Sequence, residues 1–288
     1  MHTTTSAAVF DAAYQGDRGA YSELAAIELL GHGSRLLPSP TMADVFASVA
    51  GGGARHAVVP LENTIAGTVP GVYELLLTHD LHAVREIALP IDHVLIGPPG
   101  LALDAIRRVL SHPVALGQCG EFLRGHPDMI PVAAFDTAGA VRIVLEEDDG
   151  VSAAIAGRHA AAVYGGEILA EHLQDHPENW TRFGLLARAE PAWIEPATKV
   201  LLVFDLPHQP GALAAALRVA AEADVNLTKI ESRPIPTRPF EYRFIVELSH
   251  EDPPALEAVV RTLRTRTTSL RVIGRFTAFT NQECRHGH

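Results

Sequence analysis

Three polar residues stand together at the start of an apolar stretch, ENWTRFGLLA (residues 178–187). Asn179 and Thr181 offer neutral hydrogen-bonding groups, and Arg182 carries a permanent positive charge suited to a carboxylate. The stretch predicts a β-strand, whose alternation places Thr181 and Phe183 on one face and Arg182 on the other. The three polar residues therefore indicate an anion-binding site at the point where the strand meets a cleft. A surface arginine beside a strand-forming threonine is the alternative.

A second polar group follows another apolar run, in VPLENTIAGTVPG (residues 59–71). Glu62, Asn63 and Thr64 stand at the carboxyl end of a predicted strand, where α/β folds place their ligands. Gly67 then leads toward a helix. The segment is interpreted as a ligand-binding loop, and a capped surface loop fits the same residues equally well.

Three more loops lead into predicted helices, at residues 13–25, 111–122 and 135–141. The first has two glycines and places Ser22 at a helix start, where free backbone N–H groups can face a ligand. It is not a dinucleotide fingerprint, because the third glycine is missing. Ser111 opens the second loop and Asp136 the third, and ordinary helix caps explain both as well.

Two stretches near the C-terminus form a further pair, HQPGALAAAL (residues 208–217) and NLTKIESRP (residues 226–234). A Pro-Gly turn between a strand and a helix frees backbone N–H groups, which suits a small carboxylate. The alternative interpretation is an ordinary βα turn without a ligand. The presence of the second stretch argues against that alternative.

Short apolar runs alternate with helical patterns over the first two-thirds of the chain, which predicts an α/β domain with mostly buried strands. Thr41, and either Asp136 or Thr137, are the predicted N-caps of two helices, and Pro70 is the predicted start of a third. After residue 165 the pattern predicts a second short helix.

The pattern breaks near residues 184–197, where EPAWIEPAT (residues 190–198) is interpreted as a linker. A strand-helix-strand-strand-helix-strand order follows within about 80 residues, which predicts a ferredoxin-like βαββαβ unit. In FEYRFIVEL (residues 240–248), five alternating apolar residues predict one buried face and one partly wet face: Phe240, Tyr242, Phe244, Val246 and Leu248.

Composition excludes several classes of protein. A formal net charge of −11 argues against nucleic acid as a partner, because phosphate binding needs a basic face. The two cysteines, Cys119 and Cys284, fit a reduced, cytoplasmic protein rather than a disulfide scaffold. The N-terminus lacks the pattern of a signal peptide, and no apolar run is long enough for a membrane span.

Metal binding is disfavoured by the spacing of candidate ligands. His172 and His176 lie four residues apart on a predicted helix, as zinc ligands can, but no third ligand is evident. The acidic run EEDDG (residues 146–150) lacks the spacing of a calcium loop, so a solvated helix end is expected there.

Taken together and in this order, the loops resemble the prephenate dehydratase family. That family carries a glycine turn with a serine, an EN-S/T-x-x-G loop, a SHP loop before a helix, and a TRF strand. The GAL and ESRP stretches resemble an ACT domain of the phenylalanine-regulated kind. The resemblance extends over residues 8–276 and has one departure, Val114, where the family usually has glutamine after SHP.

The resemblance implies two domains. Residues 8–188 would form a catalytic α/β domain with two lobes, as in periplasmic binding proteins, with substrate between the lobes. Residues 198–277 would form the ACT domain, which pairs with a second copy to give a homodimer or homotetramer. That domain would bind L-phenylalanine at the shared interface and inhibit the enzyme.

The resemblance also implies a reaction: prephenate, a dianion, loses carbon dioxide and hydroxide to give phenylpyruvate, and no cofactor or metal is needed. Thr181 would donate a hydrogen bond to the leaving hydroxyl, and Glu62 would orient neighbours because its charge repels the substrate. The implied catalytic residues are Thr181, Arg182, Asn63, Thr64 and Ser22. The implied substrate-binding residues are Glu62, Gly67, Ser111, Asn179 and Phe183. The implied phenylalanine-binding residues are Gly211, Ala212, Leu213, Asn226, Glu231 and Ser232.

Two other functions stay open at this point. A close variant could prefer arogenate, which has an amino group in place of the keto oxygen, and these motifs do not separate the two substrates. A non-catalytic amino-acid sensor could keep the same fold, and Val114 is the residue that points to it.

Overall fold

The computed structural model describes residues 9–189 and 197–279. Most of the predicted linker, residues 190–196, therefore lies outside the described part of the chain. None of the described helices is long and apolar enough to cross a membrane.

The described chain divides into two compact units. The first contains residues 9–79 and 87–185, and the second contains residues 80–86 together with the described residues of 186–279. Residues 80–86, which the sequence analysis assigned to the first domain, thus group with the second unit.

The elements up to residue 189 are, in chain order, β1 (Phe10–Gln15), α1 (Tyr21–Leu30), β2 (Leu36–Ser39), α2 (Met42–Ala50), β3 (Ala54–Asn63), β4 (Gly67–Thr68), α3 (Val72–Thr78), β5 (His82–Pro90), β6 (His93–Gly97), β7 (Arg108–Ser111), α4 (Pro113–Gln118), α5 (Gly120–Gly125), β8 (Ile130–Ala133), α6 (Thr137–Glu147), β9 (Ser152–Gly157), α7 (Arg158–Tyr164), β10 (Glu167–Ala170) and β11 (Trp180–Ala187). The elements from residue 197 onward are β12 (Lys199–Asp205), α8 (Ala212–Glu222), β13 (Asn226–Ile235), β14 (Arg238–Ser249), α9 (Pro253–Arg266) and β15 (Ser269–Phe276).

The first unit is built on two sheets. One has the order β11-β3-β1-β2, with β4 paired to β3, and β1 runs parallel to both β2 and β3. The other has the order β10-β6-β9-β7-β8, and helix α6 packs on it through a core that includes Val94, Ile96, Val141 and Ala154. The predicted two-lobed α/β architecture is confirmed.

Several helix boundaries follow the predicted local signals. Thr41 caps α2 in a capping box with Asp44, and Asp136, rather than Thr137, caps α6 by accepting the Gly139 amide at 2.6 Å. Helix α3 starts later than predicted. Its N-cap is Gly71 at φ 83°, a left-handed conformation that suits glycine, so Pro70 lies before the cap.

The second short helix predicted after residue 165 is wrong. Gly165 ends α7 at φ 76°, and the chain then forms strand β10, which pairs antiparallel with β6. Residues 171–179 are not helical, so His172 and His176 do not share a helix face. Pairing with an existing sheet edge overrides the helical preference of this short stretch.

The second unit has the predicted βαββαβ order. Its sheet runs β13-β14-β12-β15 with antiparallel neighbours, and Ala83 of β5 lies opposite Gly274 of β15. This is the ferredoxin-like arrangement. Helices α8 and α9 bury their apolar sides against the sheet, around Leu202, Val246 and Val259.

The alternation of a buried and a wet face predicted for β14 is wrong, because the second half of the strand is buried on both faces and the first half is exposed at two of the apolar positions. Val246 and Leu248 are buried, but Phe240 is 83% exposed and Tyr242 49% exposed. Ile245 and Glu247, on the face expected to be wet, are buried as well. The pairing with β13 shifts between Pro234 and Ile235, so the turn end of the hairpin does not continue the buried face.

Candidate active site

Three of the predicted site residues meet in the first unit. Asn63 ends β3, Asn179 precedes β11, and Thr181 is the second residue of β11, a strand that neighbours β3. The Asn63 side-chain nitrogen lies 2.7 Å from the Asn179 side-chain oxygen and 2.9 Å from the Thr181 hydroxyl oxygen. All three side chains belong to residues at most 9% exposed.

The direction of these hydrogen bonds is determined by the backbone. The Asn63 oxygen accepts from the amides of Ile65 at 3.0 Å and Ala66 at 2.8 Å, and backbone amides can only donate. The Asn63 NH₂ group therefore faces Asn179 and Thr181 as a donor. Each neighbour presents an oxygen acceptor to it.

In this arrangement, two hydrogen-bond donors, on Asn179 and Thr181, have no acceptor among the described residues. The Asn179 side-chain nitrogen is buried and has no hydrogen-bond partner among the described residues. The Thr181 hydroxyl accepts from Asn63, and no acceptor for its proton lies in the described part of the chain. Buried donors without partners are uncommon in folded proteins, so these two groups are candidates for contact with a ligand.

Thr64, predicted to contact substrate, is hydrogen-bonded to the protein backbone. Its hydroxyl donates to the Glu178 carbonyl at 3.2 Å and accepts the Trp180 amide at 2.9 Å. The Thr64 amide also donates to the Trp180 carbonyl at 2.9 Å. Thr64 thus holds the chain just before Thr181 in place.

Arg182 and Glu62 lie on the other face of their strands. The Arg182 guanidinium donates to the Glu62 carboxylate at 3.0 Å. Because side chains alternate along a strand, this pair is separated from the Asn63 and Thr181 side chains. The expectation that Glu62 orients a neighbour agrees with this contact. Arg182 already has a carboxylate partner.

Of the remaining first-unit residues, Gly67 and Phe183 adjoin this group, and Ser22 and Ser111 lie on other elements. Ser22 is the second residue of α1 and is buried, as is Phe183 two residues after Thr181. Ser111 is fully buried, and its hydroxyl donates to the Ile155 carbonyl at 2.6 Å. Gly67 pairs with Asn63 at the end of β3. Val114, the departure from the family pattern, is half exposed on α4.

The sequence analysis missed a closed polar cluster around Glu23. Its carboxylate accepts from the Tyr14 hydroxyl at 3.1 Å and the Gly19 amide at 2.6 Å, and His159 of α7 lies 3.2 Å away. Burial alone would raise the Glu23 pKa, but hydrogen bonds from His159, Gly19 and Tyr14 outweigh it and lower the pKa below its usual value. The sequence signal for this cluster was the glutamate itself, which lies within the glycine-containing loop of residues 13–25.

A cavity of about 290 Å³ opens elsewhere in the first unit. Asp17 and Arg142, which form a 3.0 Å ion pair, contribute to its wall together with Asp136 and the exposed ring of Phe135. None of its lining residues belongs to the group of Asn63, Asn179 and Thr181.

The predicted effector residues of the second unit cluster less tightly. Gly211 is the N-cap of α8 at φ 80°, and Asn226 and Ser232 are exposed on β13. Glu231 is engaged by Arg233 at 2.6 Å and by Lys229 at 3.8 Å. Ala212 and Leu213 form the first turn of α8 and are partly buried.

The part of the chain that the structure describes contains no group of three or more metal-ligating side chains. Cys119 is buried, and desolvation raises its pKa to about 12. Its thiol is therefore a poor nucleophile.

Comparison with known proteins places this geometry in a family. A family model for prephenate dehydratase matches residues 12–191. The chain is 41% identical over 279 residues to arogenate dehydratase/prephenate dehydratase 2, chloroplastic, of Arabidopsis thaliana, a match that covers 92% of this chain and 72% of that protein.

Two solved structures share the fold over nearly the whole chain. GqqA, described as a novel type of quorum quenching acylase, superposes with a TM-score of 0.83 at 34% identity and covers 94% of this chain and 98% of its own. The prephenate dehydratase of Arthrobacter aurescens in complex with L-Phe gives 0.83 at 30% identity, over 92% and 90%. The chain therefore belongs to the prephenate dehydratase family.

Proposed function

We propose that this protein converts prephenate to phenylpyruvate. In that reaction the bond to the ring carboxylate breaks, its electron pair completes the aromatic ring, and the bond to the ring hydroxyl breaks. Carbon dioxide leaves, and the departing hydroxide takes up a proton to become water. The observation that carries the proposal is the pair of unused buried donors, on Asn179 and Thr181, in the family's motif positions.

Thr181 is the proposed donor to the leaving hydroxyl. A threonine hydroxyl is a weak acid, so its contribution is electrostatic: it offers a fixed hydrogen bond to an oxygen that gains negative charge. The Asn179 NH₂ group is the proposed second donor to the substrate. Both groups are held by Asn63 before substrate arrives, so little reorganisation is needed.

The substrate carboxylates need further partners. We propose that Ser22, at the N-terminus of the ten-residue helix α1, binds one of them together with backbone N–H groups. Gly67, Ser111 and Phe183 are proposed to shape the site. For Arg182 the proposed role remains that of a carboxylate anchor, and its pairing with Glu62 means that substrate would have to share or displace that partner.

Arogenate is the second candidate substrate. It is supported by the 41% identity to a plant protein whose name includes both activities. The two substrates differ at one group on the side chain, a keto oxygen in prephenate and an amino group in arogenate.

Acyl transfer, the activity named for GqqA, fits the Thr181 site less well. A serine or threonine nucleophile needs a neighbouring base to take its proton. The side chain bonded to the Thr181 hydroxyl is the amide of Asn63, which points a donor at it and cannot accept a proton.

For the second unit we propose an ACT regulatory domain. Its βαββαβ order, the Gly211 turn at the start of α8 and the ESRP stretch on β13 support this assignment. L-phenylalanine would be held by the Gly211–Leu213 turn and Asn226 and would inhibit the enzyme. The structure of the Arthrobacter aurescens relative in complex with L-Phe supports L-phenylalanine as the ligand. Glu231 and Ser232 would form the wall of that site. A homodimer or homotetramer assembled through this unit is proposed with it.

The test is product formation from prephenate and from arogenate, side by side, with and without L-phenylalanine. The proposal expects phenylpyruvate from prephenate, at a higher kcat/KM than for arogenate, and suppression by phenylalanine. Higher kcat/KM with arogenate would make that the substrate. Phenylalanine binding without turnover of either compound would favour the sensor function instead.

A further inference from the structure

We propose that Asn63 is a positioning residue that sets the direction of the hydrogen bonds of the Asn179 and Thr181 side chains and does not itself contact substrate. This inference rests on the proposed function and deepens it. It replaces the expectation that Asn63 binds a substrate group directly.

The first step is the anchoring of the Asn63 amide. Its oxygen accepts two backbone amides, from Ile65 and Ala66, at 3.0 and 2.8 Å. Turning the amide over would place its NH₂ group against two donors, which is unfavourable. The orientation of Asn63 is therefore determined by the backbone of the loop after β3.

The second step is the effect on the neighbours. The Asn63 NH₂ group lies within hydrogen-bond distance of three oxygens: those of the Asn179 side chain, the Trp180 carbonyl and the Thr181 hydroxyl. Asn179 must therefore turn its oxygen toward Asn63 and its NH₂ group away. The NH₂ group shares its two hydrogens among these three oxygens and cannot accept, so the Thr181 hydroxyl can only accept from it, which leaves the Thr181 proton free.

The third step is the chemistry that results. Two hydrogen-bond donors remain, and the Asn179 nitrogen is buried with no partner among the described residues. Two donors suit an oxygen that gains negative charge, such as the departing hydroxyl, and they repel a cationic group. If the direction were reversed, the same atoms would present acceptors and would oppose the reaction.

The test is Asn63→Asp, which replaces one NH₂ group with an oxygen of similar size. The introduced carboxylate would accept from Thr181, so the Thr181 proton would turn inward, and the Asn179 amide could turn over to donate as well. We expect kcat to fall at least about 100-fold with KM changed far less, because removing a preorganised donor typically has this effect. As pH falls and the introduced carboxylate takes up a proton, it can donate again, so kcat should recover in this variant and not in the wild type.

Two comparisons make the result specific. Asp104→Asn exchanges an acid and an amide at an exposed position in the short 3-10 helix Leu103–Ala105, which contributes no residue to the proposed site, and should leave both kcat and its pH profile unchanged. In a Thr181→Val background, Asn63→Asp should lower kcat much less than it does alone, since the donor it controls is already gone. Thermal unfolding checks that each variant is folded.

Each outcome bears on a different claim. Asn63→Asp within tenfold of the wild type, with Thr181→Val inactive, would overturn the positioning role and leave the proposed function intact. A loss of kcat that shows no recovery at low pH and adds fully to that of Thr181→Val would also overturn it. An active Thr181→Val would overturn the proposed role of Thr181, and a wild-type protein that forms no phenylpyruvate from prephenate would overturn the proposed function itself.

Discussion

Two buried polar clusters in the first unit differ in how completely they are hydrogen-bonded. Around Glu23, the carboxylate is matched by donors from Tyr14, Gly19 and His159. Around Asn63, the neutral side chains of Asn179 and Thr181 keep donors that no described residue uses. A closed cluster stabilises the fold, whereas an open one is costly to bury and is retained for a ligand. The comparison predicts opposite consequences of mutation at the two places.

The largest expected effect is on stability, from Glu23→Leu. Leucine would leave the Tyr14 hydroxyl, the Gly19 amide and His159 without their acceptor. At about 1–3 kcal/mol for each unsatisfied buried group, the free energy of unfolding should fall by about 4 kcal/mol. Chemical denaturation measures it. A loss below about 1 kcal/mol would remove the distinction between the clusters.

Asn179→Leu should show the reverse pattern. It removes a buried NH₂ group that has no partner among the described residues, together with the oxygen that accepts from Asn63. Because the Asn63 NH₂ group keeps the Trp180 carbonyl and the Thr181 hydroxyl as acceptors, the free energy of unfolding should fall by no more than about 1 kcal/mol. It also removes a proposed donor to substrate, so kcat should fall about 100-fold. Steady-state kinetics and denaturation on the same preparation give both numbers. A stable variant with nearly full kcat would show that the unused donor has no catalytic role.

The third expected effect compares two glycines. Both Gly19 and Gly31 have positive φ angles, 86° and 95°. A Cβ on Gly19 would lie 2.8 Å from the Ala160 Cα, whereas a Cβ on Gly31 would have no described atom within 4 Å. Gly31→Ala should therefore cost about 1 kcal/mol for conformation alone, and Gly19→Ala about 2 kcal/mol more. Equal losses would mean that the contact between Gly19 and Ala160 is unimportant.

A smaller effect is expected for Thr64, which holds the chain before Thr181. Thr64→Val keeps the shape and removes the hydroxyl that bonds to Glu178 and Trp180. We expect kcat to fall about tenfold, in line with the loss of about one backbone hydrogen bond. Thr64→Ser, which keeps the hydroxyl, should restore it. If serine is as impaired as valine, the methyl group matters rather than the hydrogen bonds.

The last effect concerns acid stability. The Glu23 pKa is lowered in the folded protein, so its contribution to stability is fully present above the usual pKa of a glutamate and is lost as pH falls through the folded-state pKa. Glu23→Gln cannot titrate and should flatten this part of the stability curve. Urea denaturation at several pH values from about 6 downward measures it. Parallel curves for the two proteins would show that another group controls acid unfolding.

Much of this picture could be predicted from the sequence. Motif order identified Asn63, Asn179 and Thr181, and strand periodicity correctly separated Thr181 from Arg182, because both depend on local spacing. The strands of the second unit followed from apolar runs of the right length.

Other features depend on pairing between distant segments. The contact of Arg182 with Glu62 joins residues 120 positions apart and depends on how β11 lies beside β3. The short strand β10 forms because it can pair with the otherwise unpaired edge of β6. The exposure of Phe240 follows from the register shift within the β13–β14 hairpin. Local patterns do not encode such registers.

The most direct test of the account is the rate of phenylpyruvate formation from prephenate by Thr181→Val, with Thr181→Ser as the matched control. Valine keeps the shape and the strand preference of threonine but has no hydroxyl to donate. The account predicts a fall in kcat of about 10²–10³-fold for valine and substantial activity for serine, with both proteins as stable as the wild type. Activity of the valine variant within tenfold of the wild type would contradict the claim that the open cluster around Asn63 is the reaction site.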